Sequence, residues 1–491
     1  MQRKQIAQLI TALMGVASAG GAYASAFQLL EQNGQGIGNA YAGSAASAED
    51  ASTAYFNPAA MPMMKQPSQV SLGLDLVKPT AKFNDGGSTP PRFITASNVG
   101  GDGGDAGGVA PVPATHITVG LNEAMSVGLS IGAPFGLKTE YESDWMGRFH
   151  AVRSDLKSIN INPSFAFRIN KMISVGIGAS YQHFEAELTQ AVNFGALGYS
   201  GVCASSGLAT CNALAAAGTF NNKEGTSQVK GESDDWGWNI GIALQPTDST
   251  RVGLSYRSAI KHRLTGDVTF TRPSIAVPGL DQAIAAQTPN GPVMVDVKLP
   301  ETWILSAFQQ INEQWSLQGD VSWTGWSSLK TLDICRTGNG DCKPTTDGST
   351  PVIPGIVSST YENWKDTWRV AFGGAYQMNN TWKFRAGLAY DQSPVEADYR
   401  TARLPDSNRT WLSLGANYRF SEAISFDVGY THIFMSESTI DESGYHAEYN
   451  PKATAAATTG INTTNPISRG TLKGEYDGSV DILGMQMNWA F

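Results

Sequence analysis

The stretch Ile159-Asn-Ile-Asn-Pro-Ser-Phe-Ala-Phe-Arg-Ile169 alternates: its odd positions are Ile, Ile, Pro, Phe, Phe and Ile, and its even positions are Asn160, Asn162, Ser164, Ala166 and Arg168. A period of two marks a strand with one apolar and one polar face, because successive side chains leave a pleated backbone on opposite sides. The pattern recurs where Trp315, Leu317, Val321 and Trp323 oppose Ser316, Gln318, Asp320 and Ser322. It recurs again where Ile424, Phe426, Val428 and Tyr430 oppose Ser425, Asp427, Gly429 and Thr431, and in the final strand, which ends on Trp489 and Phe491.

A soluble sandwich also alternates, so strand length and loop asymmetry decide between the two. Several runs exceed the roughly 9–11 residues of a tilted transmembrane strand. Short polar turns at Asn122-Glu123, Asn170-Lys171, Gln245 to Thr250, Asn312-Glu313, Asn379-Asn380 and Ser421-Glu422 alternate with long loops. Short turns at one end and long loops at the other are the outer-membrane pattern, and counting runs gives about 14 strands in an all-β, antiparallel transmembrane barrel.

The amino end fits export to that destination. Arg3 and Lys4 precede an apolar stretch from Ile6 to Val16, then small residues ending Ala22-Tyr23-Ala24, so residues 1–24 read as a signal peptide. Without Arg3 and Lys4 the chain carries 32 basic against 43 acidic residues, which argues against a nucleic-acid partner. The four cysteines form two close pairs, Cys203 with Cys211 and Cys335 with Cys342, and local disulfides are expected in an oxidising compartment. Neither pair has a histidine at zinc-ligand spacing, and no metal or cofactor is expected.

Residues 25–66 are different. The segment is Gly/Ala-rich without alternation, yet carries Phe27, Leu29, Leu30, Tyr41, Tyr55 and Phe56. It reads either as a plug in the barrel lumen or as a periplasmic extension, and its apolar residues favour the plug. Residues 67–491 form the barrel. Inside one run, proline at Ala133-Pro134-Phe135-Gly136 cannot donate to the ladder, so the residues read either as a kink that opens a hole between neighbouring strands or as a strand end near the rim.

No catalytic constellation emerges. Gly128-Leu129-Ser130-Ile131-Gly132 spells G-x-S-x-G, but it lies inside an alternating strand rather than a strand-turn-helix elbow. The run GGDGGDAGG from Gly100 to Gly108 occurs once and reads as a flexible loop rather than a calcium-binding repeat.

The N-terminal segment, with Asn57-Pro58-Ala59, resembles the plug of the FadL-type long-chain fatty acid transporter family. The resemblance continues through PFGLKTEY from Pro134, LPETW from Leu299, SWTGWSSLK from Ser322 and DQSPVEADYRTARLPDSNRTWLSLGANYRF from Asp391. It implies a 14-stranded barrel with an N-terminal hatch at Phe27, Asn57, Pro58 and Ala59, external capture of a hydrophobic ligand, and lateral release at Pro134, Phe135 and Gly136. That family also includes importers of aromatic hydrocarbons. Lys330, in the matching SSLK stretch, reads either as the candidate partner for a carboxylate headgroup or as an external rim lysine, while Glu185 and Glu187 stand where the family's type member has basic residues and would repel an acid unless protonated. Outer-membrane lipid, lipopolysaccharide and the barrel-assembly machinery are the expected partners of a monomer.

Overall fold

The computed structural model describes residues 26–338, 355–442 and 469–491. Fourteen antiparallel strands form a closed wall, six of them in two segments. They are β1 (Gln69–Asp85), β2 (Ala110–Gly120), β3 (Met125–Gly132 and Gly136–Glu140), β4 (Arg153–Arg168) and β5 (Ile173–Asn193). Then come β6 (Glu224–Thr247), β7 (Thr250–Arg257 and Ile260–Thr271), β8 (Gly291–Leu299 and Thr302–Gln310) and β9 (Trp315–Thr324 and Thr331–Arg336). The wall is completed by β10 (Ile356–Tyr361 and Thr367–Gln377), β11 (Trp382–Asp391), β12 (Arg409–Arg419), β13 (Ile424–Met435 and Ser438–Glu442) and β14 (Leu472–Ala490). Closure is the long ladder between β1 and β14, from Gln69↔Ala490 to Asp85↔Gly474.

All six expected short turns are present, and four share one device. In each, an asparagine side chain accepts from the backbone two and three residues on: Asn122 from Ala124 and Met125, Asn170 from Met172 and Ile173, Asn312 from Gln314 and Trp315, Asn379 from Thr381 and Trp382. The side chain mimics a backbone turn, so these asparagines fix the hairpins locally. Ser421 does the same towards Ala423 and Ile424.

In the opening stretch the apolar side points outward: Ile161 and Phe165 are exposed, while Asn160, Asn162, Ser164 and Ala166 are buried. An aliphatic outer surface with a polar lining is the inverse of a soluble core and is what hydrocarbon around a barrel demands. Aromatic clusters mark the borders of this band, with Trp238, Tyr256 and Trp303 towards the long loops and Trp315 with Tyr376 and Trp382 with Tyr418 near the short turns.

Above the first belt the two faces exchange chemistry. In β5 the inward Ser174, Ser180 and Gln182 give way to Phe184, Ala186 and Leu188. In β7 and β8 the switch is made by the breaks at Ser258-Ala259 and Pro300-Glu301. Leu254 of lower β7 faces out, whereas Ile260 and Leu264 of upper β7, in the same even register, are buried. Trp303 and Leu305 of lower β8 are exposed, whereas Val293 and Val297, in the same odd register, are buried. The barrel interior is therefore polar within the membrane band and apolar beyond it.

Beyond the wall, helices at Phe194–Ser206, Leu208–Ala216 and Leu280–Gln287 pack through Phe194, Val202, Leu280 and Ile284. The Cys203–Cys211 disulfide joins the first two. The expected partner of Cys335, Cys342, lies outside the described residues.

Candidate ligand-binding site and wall opening

The N-terminal segment packs on inward-facing positions right round the wall. Asn57 donates to the Ala45 and Ile242 carbonyls and caps the Pro58–Met63 turn by accepting from Ala59 N–H. Arg251 donates to the Ala46 and Ser47 carbonyls, Arg257 to Tyr55, Arg369 to Ala40, and the Thr431 hydroxyl to Ile37. Backbone meets backbone at wall glycines, where an added Cβ would stand 1.9 Å from Ala45 O at Gly253 and 2.1 Å from Asn39 O at Gly387. Gly128 of the G-x-S-x-G run instead faces side chains of the segment, its place for a Cβ lying 2.7 Å from both Ala54 Cβ and Met61 Sδ, so packing accounts for that glycine. The firmest tie is ionic: Glu49 lies 3.0 Å from Lys383 and 2.9 Å from Arg385, which also binds Asp427 at 2.6 Å. Burial alone would raise the Glu49 carboxyl, but the two cations beside it hold it well below the usual carboxylate range.

Above this segment lies an apolar cavity walled by Leu156, Phe184, Leu264, Val295, Leu332 and Leu404. Phe27 is part of its lining and touches Trp326, Trp364 and Phe135 at ring-centroid distances of 5.0, 5.8 and 5.9 Å. A second cavity lies on the other side of this aromatic cluster, lined by Gln28, Leu29, Pro134 and Phe135 together with polar wall residues such as Arg257 and Thr302.

The upper cavity has one polar end, formed by Arg403 and Glu362 with Thr401. Arg403 donates to Gln190 Oε1 at 2.6 Å and to Ser154 Oγ and Arg153 O at 3.3 Å. Burial lowers its pKa to about 10, which leaves it cationic at neutral pH. Burial pushes the Glu362 carboxyl up to about 7, against the lowering effect of the bond it accepts from Trp364 Nε1. Lys330 is elsewhere: it is exposed, and its Nζ donates to Trp364 O at 3.0 Å and Asn363 Oδ1 at 3.3 Å rather than lining the cavity. Glu185 and Glu187 occupy the outward register of β5, so the inward neighbours at this level are Phe184, Ala186 and Leu188 and the acids do not oppose a ligand. Among the described residues, His183, Glu185 and Glu232 bring potential metal-ligand atoms within 4.8 Å of one another, on that outer face and away from the cavity.

At Ala133 to Gly136 the wall is interrupted. Below the break β3 pairs with β2 from Gly120↔Ser126 to Thr115↔Ile131; above it, Gly136–Glu140 pairs with β4 alone. Residues 110–114 of β2 pair only with β1. The freed backbone groups of the break are taken up from inside. Leu29 N–H donates to Pro134 O, Gly136 N–H to Phe27 O, Gln32 Nε2 to Ala133 O, and Ser158 Oγ both accepts from Phe135 N–H and donates to Phe135 O. Phe27 to Leu29 thus lie as a short strand across the inner side of the opening. The sequence pointed to residues 134–136 and to Phe27 separately; that Phe27 bonds to Gly136 and Leu29 to Pro134 is visible only in the fold.

A sequence match to the family described as outer membrane protein transport protein (OMPP1/FadL/TodX) spans residues 15–491. The chain belongs to this family. It is 29% identical over 442 residues to the long-chain fatty acid transport protein of Escherichia coli K12, covering 88% of this chain and 93% of that protein. It is 30% identical to the 47 kDa outer membrane protein of Pasteurella multocida, covering 89% and 93%. Among solved structures, a Pseudomonas aeruginosa FadL homologue matches with a TM-score of 0.78 at 23% identity, covering 95% of this chain and all of that one. The Pseudomonas putida toluene transporter TodX matches at 0.60 and 16%, covering 95% and 100%. This FadL/TodX family member is a transporter of hydrophobic compounds in the outer membrane of a Gram-negative bacterium.

Proposed function

We propose that the substrates are long-chain fatty acids, bound with the acyl chain in the upper cavity and the carboxylate at Arg403. The observation that carries this reading is an apolar chamber with the Arg403 guanidinium at its polar end. Each methylene moved from water into such a chamber gains about 0.8 kcal/mol, which a water-filled pore does not offer. The fatty-acid transport of the Escherichia coli relative supports it. Residues 25–66 act as the hatch, with Asn57, Pro58 and Ala59 in its fixed body and Phe27 as its movable tip. Displacing Phe27 to Leu29 from residues 134–136 joins the two cavities to the wall opening at Pro134, Phe135 and Gly136, and the ligand leaves sideways into the bilayer. We further infer a monomer, folded by the barrel-assembly machinery and surrounded at its upper belt by lipopolysaccharide.

A second reading, import of uncharged or aromatic hydrocarbons, is favoured by one observation: Glu362 shares the polar end with Arg403 and opposes a carboxylate when ionised. Mass spectrometry of compounds retained through purification in mild detergent separates the two. A bound acyl chain supports the first reading, a neutral hydrocarbon the second. An empty protein that binds neither class when both are supplied contradicts both.

A further inference from the structure

The opening has two edges, and only the β3 edge is explained by Pro134. The β2 edge reads Ala110-Pro111-Val112-Pro113-Ala114. Its ladder to β1 runs without interruption from Val77↔Ala110 through Leu76↔Pro111 and Leu74↔Pro113 to Gln69↔Thr118. Proline has no N–H, so the donors that sustain this ladder must be those of Ala110, Val112 and Ala114. In an antiparallel strand alternate residues direct their backbone groups to opposite edges, which leaves residues 111 and 113 facing the gap towards β3. Those are the two positions without a donor.

The top of the gap is closed by the glycine-rich segment. Ala106 N–H donates to Ala81 O of β1, and Glu140 N–H of β3 donates to Ala106 O. Asp105 Oδ1 accepts from Ala81 N–H, and the Glu142 and Met146 amides donate to Gly103 O and Gly101 O. A Cβ on Gly107 would lie 2.1 Å from Pro79 O, so this crossing requires glycine. The run is thus a lintel stitched to β1 on one side and β3 on the other, correcting its reading as a flexible loop. The window is framed by this lintel above, the Thr115↔Ile131 pair below, and edges at residues 110–114 and 132–139.

We propose that Pro111 and Pro113 are the residues that keep the exit open from the β2 side. An edge strand with free amides inside a bilayer must find acceptors, because each unsatisfied group in hydrocarbon costs several kcal/mol. Ordinary residues at 111 and 113 would supply donors that draw β2 and β3 together, while prolines keep only their carbonyls and offer no donor to that edge. Pro111 and Pro113 are half-buried, and Ala110, Val112 and Ala114 are buried, so valine at the proline positions keeps the outer face apolar.

This inference rests on lateral exit, and the test separates the two. Pro111→Val/Pro113→Val, Gly136→Trp and the control Pro292→Val, at the start of upper β8, are compared for uptake of a radiolabelled long-chain acid. Heat-modifiable migration reports assembly, and amide hydrogen exchange reports pairing. The expected result is a severalfold loss of uptake in the double variant and in Gly136→Trp, wild-type uptake in the control, and exchange protection of the new amides at 111 and 113. Wild-type uptake in the double variant with loss in Gly136→Trp overturns the role of the prolines and keeps the exit. Wild-type uptake in both removes the exit itself. Fast exchange at 111 and 113 also overturns the proposal, and the single variants carry the same readouts if the double variant fails to assemble.

Discussion

Replacing Arg403 by methionine isolates the headgroup from the chain. The substitution keeps an unbranched side chain of similar reach and removes the cation at the polar end of the upper cavity. The groups it leaves behind are few: Gln190 Oε1 retains Arg469 at 3.4 Å, and Ser154 and the Arg153 carbonyl lose only 3.3 Å contacts. A hydrogen bond to a charged group contributes roughly 1.5–3 kcal/mol, so a fatty acid should bind about 10- to 150-fold more weakly. An alkane of equal length meets the same walls of Phe184, Leu264 and Val295 and should bind unchanged. Calorimetric or fluorescence titration of both ligands against both proteins in detergent measures the split. Equal losses for acid and alkane, or no loss for either, would refute the assignment of Arg403 to the headgroup.

Protonation of Glu362 gives a second signature. Its pKa lies at about 7, so it is neutral below that pH and anionic above it; fatty-acid affinity should fall as pH rises through about 7 while alkane affinity stays flat, and Glu362→Gln should remove the dependence. Glu49→Gln removes a half-buried carboxylate shared by Lys383 and Arg385, while Arg385 keeps Asp427, a loss of roughly 1.5–3 kcal/mol that acts locally on the N-terminal segment. Hydrogen exchange should accelerate across residues 40–56, with barrel migration unchanged. Cys203→Ser/Cys211→Ser releases a short closed loop worth roughly 2.5 kcal/mol; peptide mapping without reductant should find the 203–211 bridge in the wild type, and exchange within residues 194–216 should rise in the variant.

Much of the wall was legible because its determinants are local. Alternation placed the strands, and the asparagines at 122, 170, 312 and 379 marked turns they hold by their own side chains. Facing was not legible in β7 and β8. There the apolar residues keep one register through Ser258-Ala259 and Pro300-Glu301, while the chain turns that register from lipid to lumen. Alternation alone therefore puts Leu254 and Leu264 on one face, and the apolar chamber beyond the membrane band goes unseen. Lys330 matched a family stretch, but the turn at Trp326–Ser328 directs it to the Trp364 carbonyl. Arg403 sits far along the chain from Phe184 and Leu264 and reaches the same chamber only through closure of the barrel. Pro111 and Pro113 could have been noticed, since two prolines in a strand interior argue for an unpaired edge.

The account stands or falls on the route of the ligand, and a long-chain acid carrying a terminal diazirine reports that route directly. Cells are incubated with the acid, irradiated, and the cross-linked peptides mapped by mass spectrometry. The prediction is labelling at Phe184, Leu264 or Val295 in the upper cavity and at Val112, Pro134 or Leu137 beside the window. Labels that instead run from the upper cavity to the short-turn end, around Pro67 and Gly120, with none at the window, would show straight passage through the barrel and contradict lateral release.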